Sequence, residues 1–263
     1  MKTTGSVLIA PDRMYNGMVI LFFPGQIKTQ EDDKMLQEFK NYSHILFDAD
    51  NTLLDFTRAE KNALELTFQA LGITLREDVY RLYVEINHRA WQEYEAGLID
   101  SSAIPHKRFS ELMDAAGLTF DVDSVSGIYQ NYLGQQTCLV PYAREICEYW
   151  SKKAVVSIIT NGFKETQQRR VMASEIWPSI SHLIISGELG ISKPDPGFFD
   201  KALTIIGSPD RRDVLIVGDS LSSDILGAMN AGVDCCWYNP EGADLPGEYF
   251  AKYQISKLQE LQQ

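Results

Sequence analysis

Two carboxylates stand one residue apart in Asp48-Ala49-Asp50-Asn51-Thr52, directly after the apolar run 44–47. An aspartate at the end of a strand can present one oxygen to a metal and the other to an electrophile such as phosphorus, as covalent catalysis by a carboxylate requires. A second aspartate two residues on lies on the same side if the chain turns sharply, where it can hand a proton to a departing oxygen. Taken alone, the pentapeptide would serve equally in a solvated turn or a structural calcium loop.

The stretch Gly218-Asp219-Ser220-Leu221-Ser222-Ser223-Asp224 uses the same device after the run 214–217, with a second acid five residues later. Asp224 also suits a helix N-cap. Asp219, at the mouth of a buried strand near Asp48, would repel it unless a cation lay between them. Magnesium is the expected ion, because it favours carboxylates and waters and leaves positions for phosphate oxygens. Thr160-Asn161-Gly162 follows the run 154–159, where a hydroxyl and helix-start N–H groups can hold phosphate oxygens or simply cap the helix. Lys193-Pro194 follows the run 182–185, and its ammonium could neutralise phosphate and nucleophile together, although a lone lysine is as easily solvated surface.

These groups need a scaffold that brings strand ends together. The runs 44–47, 154–159, 182–185 and 214–217 each stop at polar or glycine-rich residues and lead into helix-like sequence, and 235–238 adds a fifth. That alternation predicts an α/β fold with a Rossmann-like parallel sheet and helices on both faces, its ligands outside the carboxyl ends of the strands. Roughly a hundred residues separate the first two runs, where a simple crossover needs about a dozen. Helices are expected within them at 59–71, 77–96, 102–116 and 122–134, with Gly72, Gly97 and Gly117 as stops. The domain expectation is a catalytic core of 42–57 and 135–263, a helical cap of 58–134, and an N-terminal extension of 1–41. Within that extension, 18–24 is apolar but too short to span a bilayer, and Met35 offers an alternative start. The stretch 255–263 reads as a last amphipathic helix.

The four motifs, each after its own strand and in this order, resemble the haloacid dehalogenase-like superfamily of aspartate-nucleophile phosphatases from residue 42 onward. The resemblance implies Asp48 as nucleophile, Asp50 as acid and base, Thr160 and Asn161 for phosphate, and Lys193 for charge. It further implies Mg2+ on Asp48, Asp50, Asp219 and Asp224. The segments 47–56, 159–163 and 236–240 are similar to the bacterial pyrimidine 5'-nucleotidases, which implies a nucleoside monophosphate such as UMP, dUMP or dTMP as substrate. A sugar-phosphate phosphatase or phosphomutase, a metal-free haloacid dehalogenase and a receiver-like phospho-binding module remain the alternatives.

Composition narrows the partners. The chain has 263 residues and a formal net charge of -12, which argues against a nucleic-acid groove while leaving a small anionic metabolite open. Its four cysteines have no zinc-like spacing, so reduced thiols and a cytoplasmic location without membrane partners are expected. Cys235 and Cys236 belong in a buried strand. Phe56, Trp91, Tyr94 and Phe109 could stack on a base or, at helical spacing, fill a core. His88 and His106 read as surface residues. The oligomeric state is left open.

Overall fold

The computed structural model describes residue 39 and residues 41–262. The expectations for 1–41, including the start at Met35, lie outside the described residues except at Phe39 and Asn41.

Six strands form one sheet: β1 (His44–Asp48), β2 (Val155–Thr160), β3 (His182–Ile185), β4 (Val214–Gly218), β5 (Asp234–Tyr238) and β6 (Tyr253–Ile255). Their order is β3-β2-β1-β4-β5-β6, and every neighbouring pair is parallel. Alternation along β1 explains why both faces are covered. Ile45 and Phe47 enter one apolar layer with α5 (Ala143–Trp150), whereas Leu46 enters another with α8 (Pro196–Ile205) and α9 (Leu226–Ala231). Cys235 and Cys236 are buried on opposite faces of β5. Two further helices complete the wrapping, α6 (Lys164–Met172) after β2 and the single turn α7 (Ser186–Leu189) after β3.

The register sets the site. Asp48 pairs with Ile159 and Phe47 with Val217, so Asp48, Thr160 and Gly218 end at one edge of the sheet. This is the carboxyl edge at which strand order reverses around β1, the position where open α/β sheets bind ligands.

Between β1 and β2 lie α1 (Phe56–Ala70), α2 (Glu77–Glu95), α3 (Ile104–Ala116) and α4 (Val122–Leu133). All four expected helices are present. The first begins three residues early because Asp55 caps it, accepting from the Arg58 N–H at 2.9 Å. The third begins late, after a 3-10 turn over Ser101–Ala103. These helices bury their own apolar cluster, in which the Phe109 ring lies 5.6 Å from Tyr83 and 5.2 Å from Tyr129. Among the described residues no helix is long and apolar enough to cross a membrane.

The carboxyl-terminal expectation is corrected. Residues 253–255 form a sixth strand, and Leu258–Gln262 is a 3-10 turn in place of a helix from 255 onward. Tyr253 and Ile255 are buried with Gln254 exposed between them, a period of two that the open edge of β5 captures through its main chain. Leu258 and Leu261 then seal the layer beneath.

Phe109 is fully buried at the centre of the inserted helices. Truncation to alanine should remove about 3–5 kcal/mol of stability in a urea titration. A loss below about 1 kcal/mol would show that these helices do not depend on that ring.

Candidate active site

The chain reverses immediately after β1. The Ala49 carbonyl accepts from the N–H groups of Leu53 and Leu54, at 3.0 and 2.8 Å. Asn51 takes the left-handed conformation (φ 60°), which asparagine tolerates, and its Oδ1 accepts from the N–H and hydroxyl of Thr57. This turn leaves Asp48 and Asp50 lining one cavity of about 360 Å³ at the carboxyl edge of the sheet. Thr160, Asn161, Lys193, Asp219 and Asp224 line it as well, so every site residue expected from sequence converges there.

Charge is concentrated at its floor. The Lys193 ammonium donates to Asp48 Oδ1 at 2.6 Å and to Asp224 Oδ1 at 2.7 Å, and it is only 2% exposed. Carboxylate oxygens of Asp48, Asp219 and Asp224 lie within 4.8 Å of one another. Burial pushes Asp48 well above the usual carboxylate range; Lys193 opposes the rise, and Asp224 and Asp219 add to it. Burial also lifts Asp219 to about 7, with Asp224 reinforcing the effect. At Lys193 burial works against the charge, but Asp224 and Asp48 more than offset it and hold the ammonium protonated. Three oxygen donors that repel one another and are short of compensating charge fit a hard divalent cation such as magnesium.

Local sequence places each of these carboxylates. Thr52 donates its hydroxyl to Asp219 Oδ1 and accepts from the Asp219 N–H, both at 3.1 Å, which ties the β1 turn to the end of β4. Asp224 is fully buried inside a turn of π-helix over Leu221–Ile225, and the N-cap is provided by Ser220. Gly218 makes room for it, since a Cβ there would come 2.3 Å from the Asp224 carboxyl.

The Asn161 side chain is engaged with the backbone of Lys193. Its side chain accepts from the Lys193 N–H at 3.0 Å and donates to the Lys193 carbonyl at 2.9 Å, fixing the backbone that carries the ammonium. Thr160 Oγ1 accepts from the Gly162 N–H and from Gln167, at 3.1 and 3.0 Å, which leaves its own proton to donate.

Asp50, expected as a fourth metal ligand, does not join the acidic group. Its Oδ1 accepts from Arg170 Nη1 and its Oδ2 from Gln167 Nε2, both at 2.5 Å, so both oxygens are already engaged. Arg170 is itself 1% exposed and also donates to the Gln136 carbonyl. Sequence reading singled out neither Gln167 nor Arg170. The signal available was their spacing of three on the helix that starts just after Thr160, which puts both on one face.

The inserted helices contribute another wall of the cavity. Phe56 and Trp91 line it, and Trp91 also meets Phe163 of the core with ring centroids 5.5 Å apart. Tyr94 packs edge-on against Trp91, and Phe109 lies in the interior of the insert, so neither is available for stacking on a ligand from this wall. His88 is exposed at the cavity rim, while His106 is exposed and pairs with Asp123 at 2.8 Å. Insert and core are further joined by Gln130 accepting from Thr166 at 2.7 Å and Glu95 from Ser222 at 2.9 Å.

The chain is similar to several known proteins. YfnB of Bacillus subtilis, whose crystal structure was determined bound to magnesium, is 33% identical with a TM-score of 0.80, covering 84% of this chain and 97% of that one. The pyrimidine 5'-nucleotidase YjjG of Escherichia coli K12 is 34% identical over 83% of this chain and 96% of its own. The pyrimidine 5'-nucleotidase PynA of Streptococcus pneumoniae is 31% identical over 84% and 93%. Residues 42–232 match the family of haloacid dehalogenase-like hydrolases, and with the sheet order, the strand-end acids and the buried lysine in place, the chain belongs to that family.

Proposed function

We propose that the protein is a phosphomonoester hydrolase that works through an aspartyl phosphate on Asp48, and that its substrates are pyrimidine nucleoside 5'-monophosphates. The convergence of Asp48, Asp219 and Asp224 around the Lys193 ammonium carries the reading. An aspartate so placed is a nucleophile in want of positive charge, and a phosphate dianion approaching it needs the same charge. The names of YjjG and PynA support the substrate class, and a cavity of about 360 Å³ with two aromatic walls accommodates a nucleotide.

Asp48, Asp219 and Asp224 would hold Mg2+, which when bound supplies the charge that lets a carboxylate meet a phosphate without repulsion. Lys193 orients Asp48 and screens it from Asp224. An oxygen of Asp48 attacks phosphorus in line, and the bond from phosphorus to the sugar oxygen breaks. Asp50 gives its proton to that oxygen. The same carboxylate then takes a proton from water, which attacks the aspartyl phosphate, releases inorganic phosphate and restores Asp48. For this Asp50 must leave its partners on α6 and turn towards the leaving group. The insert 58–134 acts as the cap that excludes water during the first step.

Three results would test the scheme. Asp48→Asn should lower phosphate release from UMP by roughly a thousandfold or more, and retention of wild-type turnover in pure protein would refute the nucleophile. Asp50→Asn should cost about a hundredfold or more on UMP and far less on p-nitrophenyl phosphate, whose leaving group hardly needs a proton. Equal losses on the two esters would remove the acid role. Gly218→Ala crowds Asp224 and should raise the magnesium concentration required for half-maximal rate, whereas an unchanged magnesium titration would exclude Asp224 from the ion site.

A further inference from the structure

Inside the insert sits a polar cluster that the hydrolytic scheme does not use. Glu60 of α1, Asn87 of α2 and Arg108 of α3 are 5%, 5% and 1% exposed. Asn87 links them, donating from Nδ2 to Glu60 Oε1 at 2.7 Å and accepting at Oδ1 from Arg108 Nη1 at 3.0 Å. The guanidinium carbon lies 4.7 Å from the centre of the Tyr129 ring and 5.3 Å from that of Phe109. Aromatic faces therefore hold the group, but they do not answer its hydrogen-bond donors.

Two of those donors, Nε and Nη2 of Arg108, are buried and have no hydrogen-bond partner in the protein. Arginine cannot shed its proton to escape burial, so unanswered donors are a standing cost to the fold. Glu60 is under a similar strain. Burial raises its carboxyl to about 7, even though Arg108 and the hydrogen bond from Asn87 pull it down. Apolar side chains of like volume would join the three helices at lower cost. The cluster instead lines the same cavity as Asp48 and Asp50, alongside Phe56 and Trp91.

We propose that Glu60, Asn87 and Arg108 form the subsite for the leaving group, and that it takes a neutral heterocyclic edge with a carbonyl oxygen beside an N–H, as in uracil or thymine. The proposal rests on the phosphomonoesterase reading of the site. Arg108 donates to the carbonyl oxygen, Glu60 accepts from the ring N–H, and Asn87 fixes the angle between them. Phe56 and Trp91 supply the flat walls that a ring fills and a bare sugar does not. The paired charges set the selectivity. A leaving group bearing a carboxylate meets Glu60, and one bearing an ammonium meets Arg108.

The test uses the full-length protein with uridine as a phosphate-free probe, and UMP and ribose 5-phosphate as substrates. The wild type should bind uridine, seen as quenching of tryptophan fluorescence, and should prefer UMP. Arg108→Met should weaken uridine binding at least about tenfold and lower the ratio of kcat/KM for UMP to that for ribose 5-phosphate by a similar factor. Glu60→Gln, which keeps the shape and replaces an acceptor by a donor, should do the same and covers the case in which Arg108→Met fails to fold. An unchanged ratio in a folded variant overturns the subsite. So does a wild type that releases phosphate but neither binds uridine nor prefers UMP, a result that leaves the hydrolase itself standing. A wild type that releases phosphate from neither ester overturns the hydrolase reading and the leaving-group role together.

Discussion

One ammonium group lies among three carboxylates at the floor of the cavity, and much of the local structure follows from that imbalance. Lys193 has to be buried, because only there does it reach Asp48 and Asp224 at once. A buried lysine on a loop would wander or neutralise itself unless held, and Asn161 holds it through both polar groups of its backbone. Asp224 has to be buried too, and the missing side chain at Gly218 gives it space. Burial, reinforced by the neighbouring acids, raises Asp48 and Asp219 against the one opposing ammonium, and the site is left short of positive charge.

A second balance lies in the same cavity, where Arg170 and Gln167 grip both oxygens of Asp50. The residue proposed to move protons is thus restrained by a helix that follows β2, while the proposed nucleophile is restrained by a lysine that follows β3. The two carboxylates thus keep separate partners although one residue separates them in sequence. Arg170 also bonds the carbonyl of Gln136, beyond the last inserted helix, so the grip on Asp50 and the seating of the insert share one side chain.

The insert itself has two characters. Its centre is an apolar cluster typical of a small helical bundle, yet Arg108 and Glu60 are buried beside it at evident cost. With the proposed hydrolytic groups all on the core, that cost fits the proposed role of the cluster in recognising part of a substrate.

The sheet, its parallel sense and the order of the acidic strand ends were legible in the sequence, because buried strands read as short apolar runs and stop where the polar site begins. The inserted helices were legible to within a few residues for a similar reason, their apolar period being helical and their ends marked by glycine and aspartate. The final strand was not, since three residues carry too little pattern to compete with a helical reading, and its pairing depends on the free edge of β5. Nor could sequence assign what each polar side chain would touch. Asn161 turned to Lys193 and Asp50 turned to α6, because partners more than thirty and more than a hundred residues away arrived within hydrogen-bonding distance. Sequence alone determined which reactive side chains stand at which strand ends. Which acid gathers with which base, and which buried donors are left for a ligand, only the tertiary structure decided, because those choices rest on burial and distances that no local pattern encodes.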